Sequence, residues 1–326
     1  ITITGTNGKS TTSKLLYEVL KKKYKDIRLA GNIGRPLLLE RKIKKNTIFV
    51  IEASSYQIFY SKYFKTDYAA ILNLSPDHLE RHGNLSKYAS AKLKLIYDQD
   101  KKKQSFIEKN NKIINKNIIN KNIKSELNKI VYKNENFFKR KINNTYLLDK
   151  NNLNNIHFVY FICKKLKISD SIIFNSLNKF KGLKFRKQII FNKKNLLIIN
   201  DSKSTSFSST VGLLSSFENI HWIVGGMYKK GDKFNINKKF YRNITAYIIG
   251  TNKKYFQNQL KNKIKNNYFA NLNKAFFAIK KQIKKNNNKN TILFSPAAAS
   301  FDQFKNFEQR GELFNALVKI NYKKLW

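Results

Sequence analysis

The 326 residues are enough for two domains with cores of their own, and the single cysteine, Cys163, excludes an internal disulfide and fits a reducing compartment such as the cytosol. Lysine and arginine number 65 against 20 acidic residues, a formal charge of +45. Because Lys, Asn and Ile are enriched together along the whole chain, this charge reads as compositional drift of an A/T-rich coding sequence, not as a nucleic-acid-binding stripe, and it favours only nonspecific adhesion to polyanions at low salt.

Ile1-Thr2-Ile3-Thr4 alternates β-branched residues and stops at Gly5. Gly5-Thr6-Asn7-Gly8-Lys9-Ser10 follows, and a helical pattern opens at Ser13-Lys14-Leu15-Leu16. Strand, glycine loop and helix in this order turn backbone N–H groups and a helix N-terminus onto an anion. Lys9 then reaches the β- and γ-phosphates of a nucleotide and Ser10 holds Mg²⁺. Counted from Gly5 the loop is one residue short of the usual P-loop; counted from Thr4 the spacing is right, with threonine in place of the first glycine. An ordinary strand-to-helix turn leaves the adjacent Lys9 and Ser10 unexplained. With Ile1 first and a lone Met at position 227, the chain reads as a fragment or a processed form; no secretory signal is visible in it, and no run is long and apolar enough to cross a bilayer.

Residues 27–30 read as a strand running into the turn Gly31-Asn32-Ile33-Gly34. Residues 47–52 form a buried strand ending in Glu52, a carboxylate placed to hold the nucleotide's Mg²⁺, and Ala53-Ser54-Ser55-Tyr56-Gln57 follows. A strand over 68–74 delivers Ser75-Pro76-Asp77-His78 at its C-terminal end, where open α/β sheets keep their sites, and a helix passes through 88–94. Strand–helix alternation argues for a mostly parallel, doubly wound sheet. Residues 101–144 are poor in chemistry; the near-repeat of 112–117 in 117–122 is low complexity, too short for a packing repeat. An apolar helix over 156–166 and a second helix ending near 180–183 place a domain boundary after residue 182.

The alternation then restarts. Strands at 195–200, 220–224, 246–249 and 290–294 end in Asp201-Ser202-Lys203-Ser204-Thr205, Gly225-Gly226, Gly250 and Ser295-Pro296-Ala297-Ala298-Ala299-Ser300. This is a second α/β domain of Rossmann type, without the Gly-x-Gly-x-x-Gly of a dinucleotide site.

Together these motifs resemble the Mur ligase family, and the run from Ser295 through Phe301-Asp302-Gln303-Phe304 to Phe307-Glu308-Gln309-Arg310-Gly311 resembles its D-glutamate-adding branch. The likeness covers nearly all of the chain except the Lys/Asn-rich middle. It implies a P-loop-type central ATPase domain over residues 1–182 and a Rossmann-like C-terminal domain over 183–326 that binds the amino acid. It also implies a cytoplasmic, monomeric, ATP-dependent ligase of peptidoglycan precursor synthesis. Such an enzyme joins D-glutamate to UDP-N-acetylmuramoyl-L-alanine through an acyl phosphate, and its UDP-binding N-terminal domain is expected to be missing ahead of Ile1.

The resemblance also implies roles. Gly5, Thr6, Asn7, Gly8, Lys9, Ser10 and Thr11 hold the ATP phosphates. Ser10 and Glu52 take one Mg²⁺, and His78 and Lys92 a second, with Lys92 carbamylated by CO₂ so that it offers oxygen ligands. Asn152 and Asn155 contact adenine, and Arg186 and Asp201 meet the nucleotide from the second domain. Asn32, Ser54 and Gln57 face the UDP-muramoyl substrate. Lys203, Thr205, Lys229, Ser300 and Phe307 receive D-glutamate, with Lys9, His78, Lys92 and Lys203 as the catalytic set. The chain departs from the family pattern at Asp149-Lys150-Asn151, Phe185 and Ser206, which bears on adenine affinity and spares the phosphate and metal residues. Another Mur-type ligase and folylpolyglutamate synthase are the alternatives, opposed by the 304–311 run. A non-catalytic polyanion-binding remnant is opposed by the intact Lys9, Glu52, His78, Lys92 and Lys203.

Overall fold

Thr2, Ile3 and Thr4 are buried and form β1 (Thr2–Thr4), the strand from which the first sheet is built outward. In the computed structural model, residues 1–119, 121–132, 135–148, 150–193, 195–229, 231–284 and 288–322 are described; Asp149 and Asn120, in runs singled out above, lie outside them. The chain divides into two units, Ile1–Lys181 and Gly182–Trp326.

In the first unit β1 is followed by α1 (Lys9–Leu20), β2 (Ile27–Gly31), β3 (Ile48–Glu52), α2 (Ser55–Tyr60), β4 (Tyr68–Ile71), α3 (Leu79–His82) and α4 (Leu85–Tyr97). Then come β5 (Gln104–Glu108), α5 (Lys112–Ile118), β6 (Glu126–Ile130), α6 (Glu135–Lys141), α7 (Lys150–Lys165) and α8 (Asp170–Asn178). The strand order is β2-β3-β1-β4-β5-β6, every pair parallel, with β1 in the middle. The segment 68–74 is strand only to Ile71: Leu72 N–H still donates to Thr4 O, but beyond Thr4 the neighbouring chain leaves as the glycine loop and offers no regular partner. The Lys/Asn-rich middle supplies two strands, β5 and β6, that extend the sheet. On one face α4 packs with β4 and β5 through Tyr88, Leu93, Ile96, Ala69, Ile71 and Ile107; α1 packs against α7 and α8.

The second unit comprises β7 (Gln188–Lys193), β8 (Leu196–Asn200), α9 (Phe207–Leu214), β9 (Ile220–Val224), β10 (Ile244–Ile248), α10 (Lys253–Leu260), β11 (Lys265–Tyr268), α11 (Leu272–Ile283), β12 (Asn290–Phe294) and α12 (Phe307–Tyr322). Its order is β11-β10-β9-β12-β8-β7, parallel except for β7, which runs antiparallel to β8. Strand alternation divides the side chains between two cores: Ile220, Trp222 and Val224 of β9 join Phe207, Phe234 and Phe256, while Ile223 joins Tyr247, Phe276, Phe294 and Phe314 on the other face. With both faces covered, the C-terminal strand ends are the place for chemistry, and the loops after β8, β9 and β12 gather there.

Candidate active site

The first site grows from the end of β1. The chain turns at Gly8, whose φ of 83° is in the left-handed region and where a Cβ would overlap Oδ1 of Asn155, so only glycine fits. The loop is pinned from the exit of β4. Asn7 N–H donates to Asn73 Oδ1 at 2.9 Å, Asn73 Nδ2 donates to Asn7 O at 3.2 Å, and Thr6 N–H donates to Asn73 O at 2.9 Å. Asn73 thus shapes the loop, a role the sequence reading did not give it. Thr6 Oγ1 lies 3.0 Å from Tyr88 Oη. Lys9 Nζ curls back to donate to Gly5 O at 2.8 Å and Thr6 O at 2.9 Å, while Ser10 and Thr11 are buried in the first turn of α1.

Glu52 ends β3 beside β1, in register with Ile3. It is 3% exposed, and its Oε2 has no hydrogen-bond partner among the described residues. A buried carboxylate oxygen left unsatisfied at the sheet end that carries the glycine loop is the kind of group a cation completes, and Glu52 fits a Mg²⁺ ligand. Lys92 lies on the inward stripe of α4, 2% exposed, one helical turn from Tyr88, whose ring centre is 5.0 Å from its Nζ. Nζ donates to Gly5 O at 3.1 Å and Thr4 Oγ1 at 3.4 Å. Burial first, and the neighbouring Lys9 charge second, draw its pKa down to about 7. His78 is exposed at the head of α3 with a left-handed φ of 51°; its ring is 5.3 Å from that of Tyr56, and Nε2 lies 3.5 Å from Asp77 Oδ2. Among the described residues no three His, Cys, Asp or Glu side chains form a ready metal cluster.

Asn152 and Asn155 are buried on α7, where Asn155 Nδ2 donates to Asn152 Oδ1 at 3.4 Å and Asn152 Nδ2 to Tyr146 O at 2.7 Å. A cleft of about 520 Å³ runs from Gly31 and Glu52 past Tyr56 and Gln57 to Leu38 and Phe64. Asn32 is exposed, with its N–H donating to Glu52 O at 2.9 Å. Ser54 and Gln57 form the capping box of α2: Gln57 N–H donates to Ser54 Oγ at 3.2 Å and Ser54 N–H to Gln57 Oε1 at 2.9 Å.

In the second unit Asp201 is buried at the end of β8, accepting from Ser295 Oγ at 2.7 Å and from Lys187 N–H at 3.0 Å; burial raises its pKa to about 6. Lys203 Nζ stands 3.7 Å above the Phe307 ring, bringing those two predicted residues together. Ser300 is buried, Thr205 and Lys229 lie exposed on the loops after β8 and β9, and Arg186 is half-buried in the turn that bridges to Leu183. Arg310, to which the sequence reading gave no role, is buried behind these loops.

Comparison with known proteins adds three kinds of likeness. Residues 3–175 match the Mur ligase middle domain. The UDP-N-acetylmuramoylalanine--D-glutamate ligase of Rickettsia bellii (strain RML369-C) is 34% identical over 335 residues, spanning 96% of this chain and 74% of that protein. The protein of the same name from Buchnera aphidicola subsp. Acyrthosiphon pisum is 36% identical over 338 residues, spanning 98% and 75%. The crystal structure of MurF ligase from Thermotoga maritima in complex with ADP superimposes with a TM-score of 0.66 at 16% identity, covering 98% of this chain and 80% of that one, a likeness of fold.

Proposed function

The chain belongs to the Mur ligase family, and on that premise we propose that it is an ATP-dependent, ADP-forming ligase that adds D-glutamate to UDP-N-acetylmuramoyl-L-alanine during peptidoglycan precursor synthesis. The observation that carries this reading is the glycine loop with Lys9 at the head of α1, set on the same sheet edge as the orphaned carboxylate oxygen of Glu52.

The chemistry runs in two displacements. An oxygen of the muramoyl-alanine carboxylate attacks the γ-phosphorus and ADP leaves. The amine of D-glutamate, having lost a proton, then attacks the acyl carbon and phosphate leaves. Lys9 exchanges the Gly5 and Thr6 carbonyls for phosphate oxygens, and the N–H groups from Gly8 to Thr11 bind the rest, those of Thr6 and Asn7 being held by Asn73. Ser10 and Glu52 would hold Mg²⁺, which supplies charge neutralisation when bound; His78 and a carbamylated Lys92 would serve a second ion. Asn152 and Asn155 would contact adenine, and Arg186 and Asp201 would serve the nucleotide. Asn32, Ser54 and Gln57 belong to the muramoyl substrate along the cleft beside Glu52. Lys203, Thr205, Lys229, Ser300 and Phe307 receive D-glutamate; a cation and hydroxyls suit a doubly acidic amino acid.

The test is a ligation assay on the full-length protein with Mg-ATP, UDP-N-acetylmuramoyl-L-alanine and, in separate reactions, D-glutamate, L-glutamate, glycine and L-lysine. D-Glutamate should give product and ADP in equal amounts, and the others almost none. A preference for another amino acid, or turnover only with a folate acceptor, would overturn the assignment.

A further inference from the structure

Arg310 sits in the first turn of α12 and is 1% exposed. Its Nε donates to Ser202 Oγ at 3.2 Å, and Nη2 donates to two carbonyls, Ser202 O at 2.8 Å and Ala298 O at 2.9 Å. Ser202 Oγ donates onward to Phe307 O at 2.9 Å, closing a ring between the loop after β8 and the start of α12. The third nitrogen, Nη1, is buried without a hydrogen-bond partner among the described residues and stands 3.3 Å from where a Cβ on Gly226 would be. Such a Cβ would also overlap Ala299 O, so Gly226, at φ 136°, lets the loop after β9 close onto this guanidinium. That loop is tied to the loop after β12 by the reciprocal backbone bonds of Met227 and Ala299, both 2.9 Å. Three strand-end loops therefore converge on one side chain.

A buried cation without a bonded carboxylate is a poor choice for stability alone. Carbonyl oxygens and the more distant Asp302 meet its charge, and burial still draws its pKa down to about 10. An apolar residue would fill the space without that desolvation, but it could not hold the carbonyls of Ser202 and Ala298 on one planar fork; nor could lysine hold the same geometry.

We propose that Arg310 is a positioning residue, whose guanidinium fixes the loops after β8, β9 and β12 so that Lys203 and Ser300 stand in register for the carboxylates of the incoming amino acid. Lys203 follows Ser202 directly, Ser300 is two residues beyond Ala298, and Phe307, under the Lys203 ammonium, begins the helix that carries Arg310. The inference rests on the proposed assignment of this pocket to D-glutamate.

Four variants of the full-length protein decide it: Arg310→Met, Arg310→Lys, Ser202→Ala and Ser300→Ala. Each is measured for D-glutamate KM, Mg-ATP affinity and melting temperature. Because small misplacements of binding groups are amplified, Arg310→Met should raise the D-glutamate KM about tenfold or more with Mg-ATP affinity changed less than about twofold. Arg310→Lys and Ser202→Ala should fall between it and wild type. A role in stability alone would lower the melting temperature and leave the D-glutamate KM of the folded enzyme unchanged, which overturns the proposal. If Ser300→Ala leaves the D-glutamate KM unmoved, the pocket assignment is wrong and the role of Arg310 falls with it. If Ser300→Ala moves it while the Arg310 and Ser202 variants do not, the positioning role alone is overturned. Should Arg310→Met not fold, Arg310→Lys and Ser202→Ala decide on the same readouts.

Discussion

Lys9 and Lys92 donate to one oxygen, the carbonyl of Gly5, at 2.8 and 3.1 Å. Burial is the chief reason that the pKa of Lys92 falls to about 7, and the Lys9 ammonium on the same acceptor adds to it. The sign matters for chemistry: below that value Lys92 is an ammonium, and above it a free amine whose nitrogen can attack CO₂ and lose a proton to give a carbamate. We expect CO₂-stripped enzyme to lose activity and regain it with bicarbonate. The regain should grow from about pH 6 to about pH 8, far below the range of an ordinary lysine. ¹³C-bicarbonate should give a carbamate resonance absent from Lys92→Arg, which should be inactive; an active Lys92→Arg enzyme would make Lys92 a mere structural lysine. Replacing Lys9 by alanine removes the neighbouring cation and should move the midpoint for carbamate formation upward.

Gly8 and Asn155 make a second coupled pair, because the amide oxygen occupies the space of a Gly8 Cβ. Gly8→Ala combines that overlap with an unfavourable left-handed backbone, a destabilisation of about 1–2 kcal/mol from the backbone alone, and should weaken Mg-ATP binding as the loop shifts. Asn155→Ala opens the space, so the double variant should recover part of the loss, with an interaction energy on the order of 1 kcal/mol. Calorimetric titration with Mg-ATP and denaturant unfolding of the four proteins measure both terms. Strict additivity would show that the loop and α7 are not coupled.

These pairings mark the limit of what the amino-acid sequence reveals. The glycine loop, the Glu52 strand end and the parallel α/β pattern are legible because they are local: apolar strands stop at Gly, Ser or Asp, and helices follow. Strands β5 and β6 are not, since Lys and Asn blur the alternation in 101–144. Edge strand β11, Lys-Asn-Asn-Tyr, has no apolar face to detect. Asn73 and Arg310 act through contacts between distant segments, and one arginine among 65 basic residues carries no local signal. Ser54 and Gln57 show the reverse case, because Ser-x-x-Gln before an apolar turn is itself a capping signature, here read first as substrate contact.

That capping box gives a separable prediction. Ser54→Ala removes the acceptor for the Gln57 N–H and should destabilise the protein by about 1 kcal/mol. Helix α2 lines the cleft through Tyr56, Gln57 and Tyr60, so the KM for the UDP-muramoyl substrate should rise as well. Ser54→Asp restores the cap but places a negative charge beside an anionic substrate. It should recover stability and leave KM high. Recovery of both would mean that Ser54 serves the helix alone.

Asp201 makes a pH-dependent contribution to the stability of the second unit. Its carboxylate is buried, accepts from Ser295 Oγ and Lys187 N–H, and has a pKa of about 6 against 3.8 for the free group, with desolvation the leading cause. Because the folded value is the higher one, the folded protein holds a proton between the two that the unfolded chain has released. The contribution of this group to stability is therefore greatest at low pH, is lost as pH rises through about 6, and stays low above it. Asp201→Asn abolishes the ionisation, keeps an acceptor for Lys187 N–H, and can donate to Ser295 Oγ, which then donates to Thr210 Oγ1 2.8 Å away. At pH 8 the asparagine variant should be the more stable protein, by an amount on the order of 2 kcal/mol, and near pH 4 the two should converge. Thermal melts of both proteins at the two pH values isolate this group, since every other acid titrates equally in each. A less stable variant at pH 8 would show that the ionised carboxylate stabilises the loop after β8. A more stable variant that has lost ligase activity would show why a destabilising acid is kept there: the carboxylate serves the nucleotide at the expense of the fold.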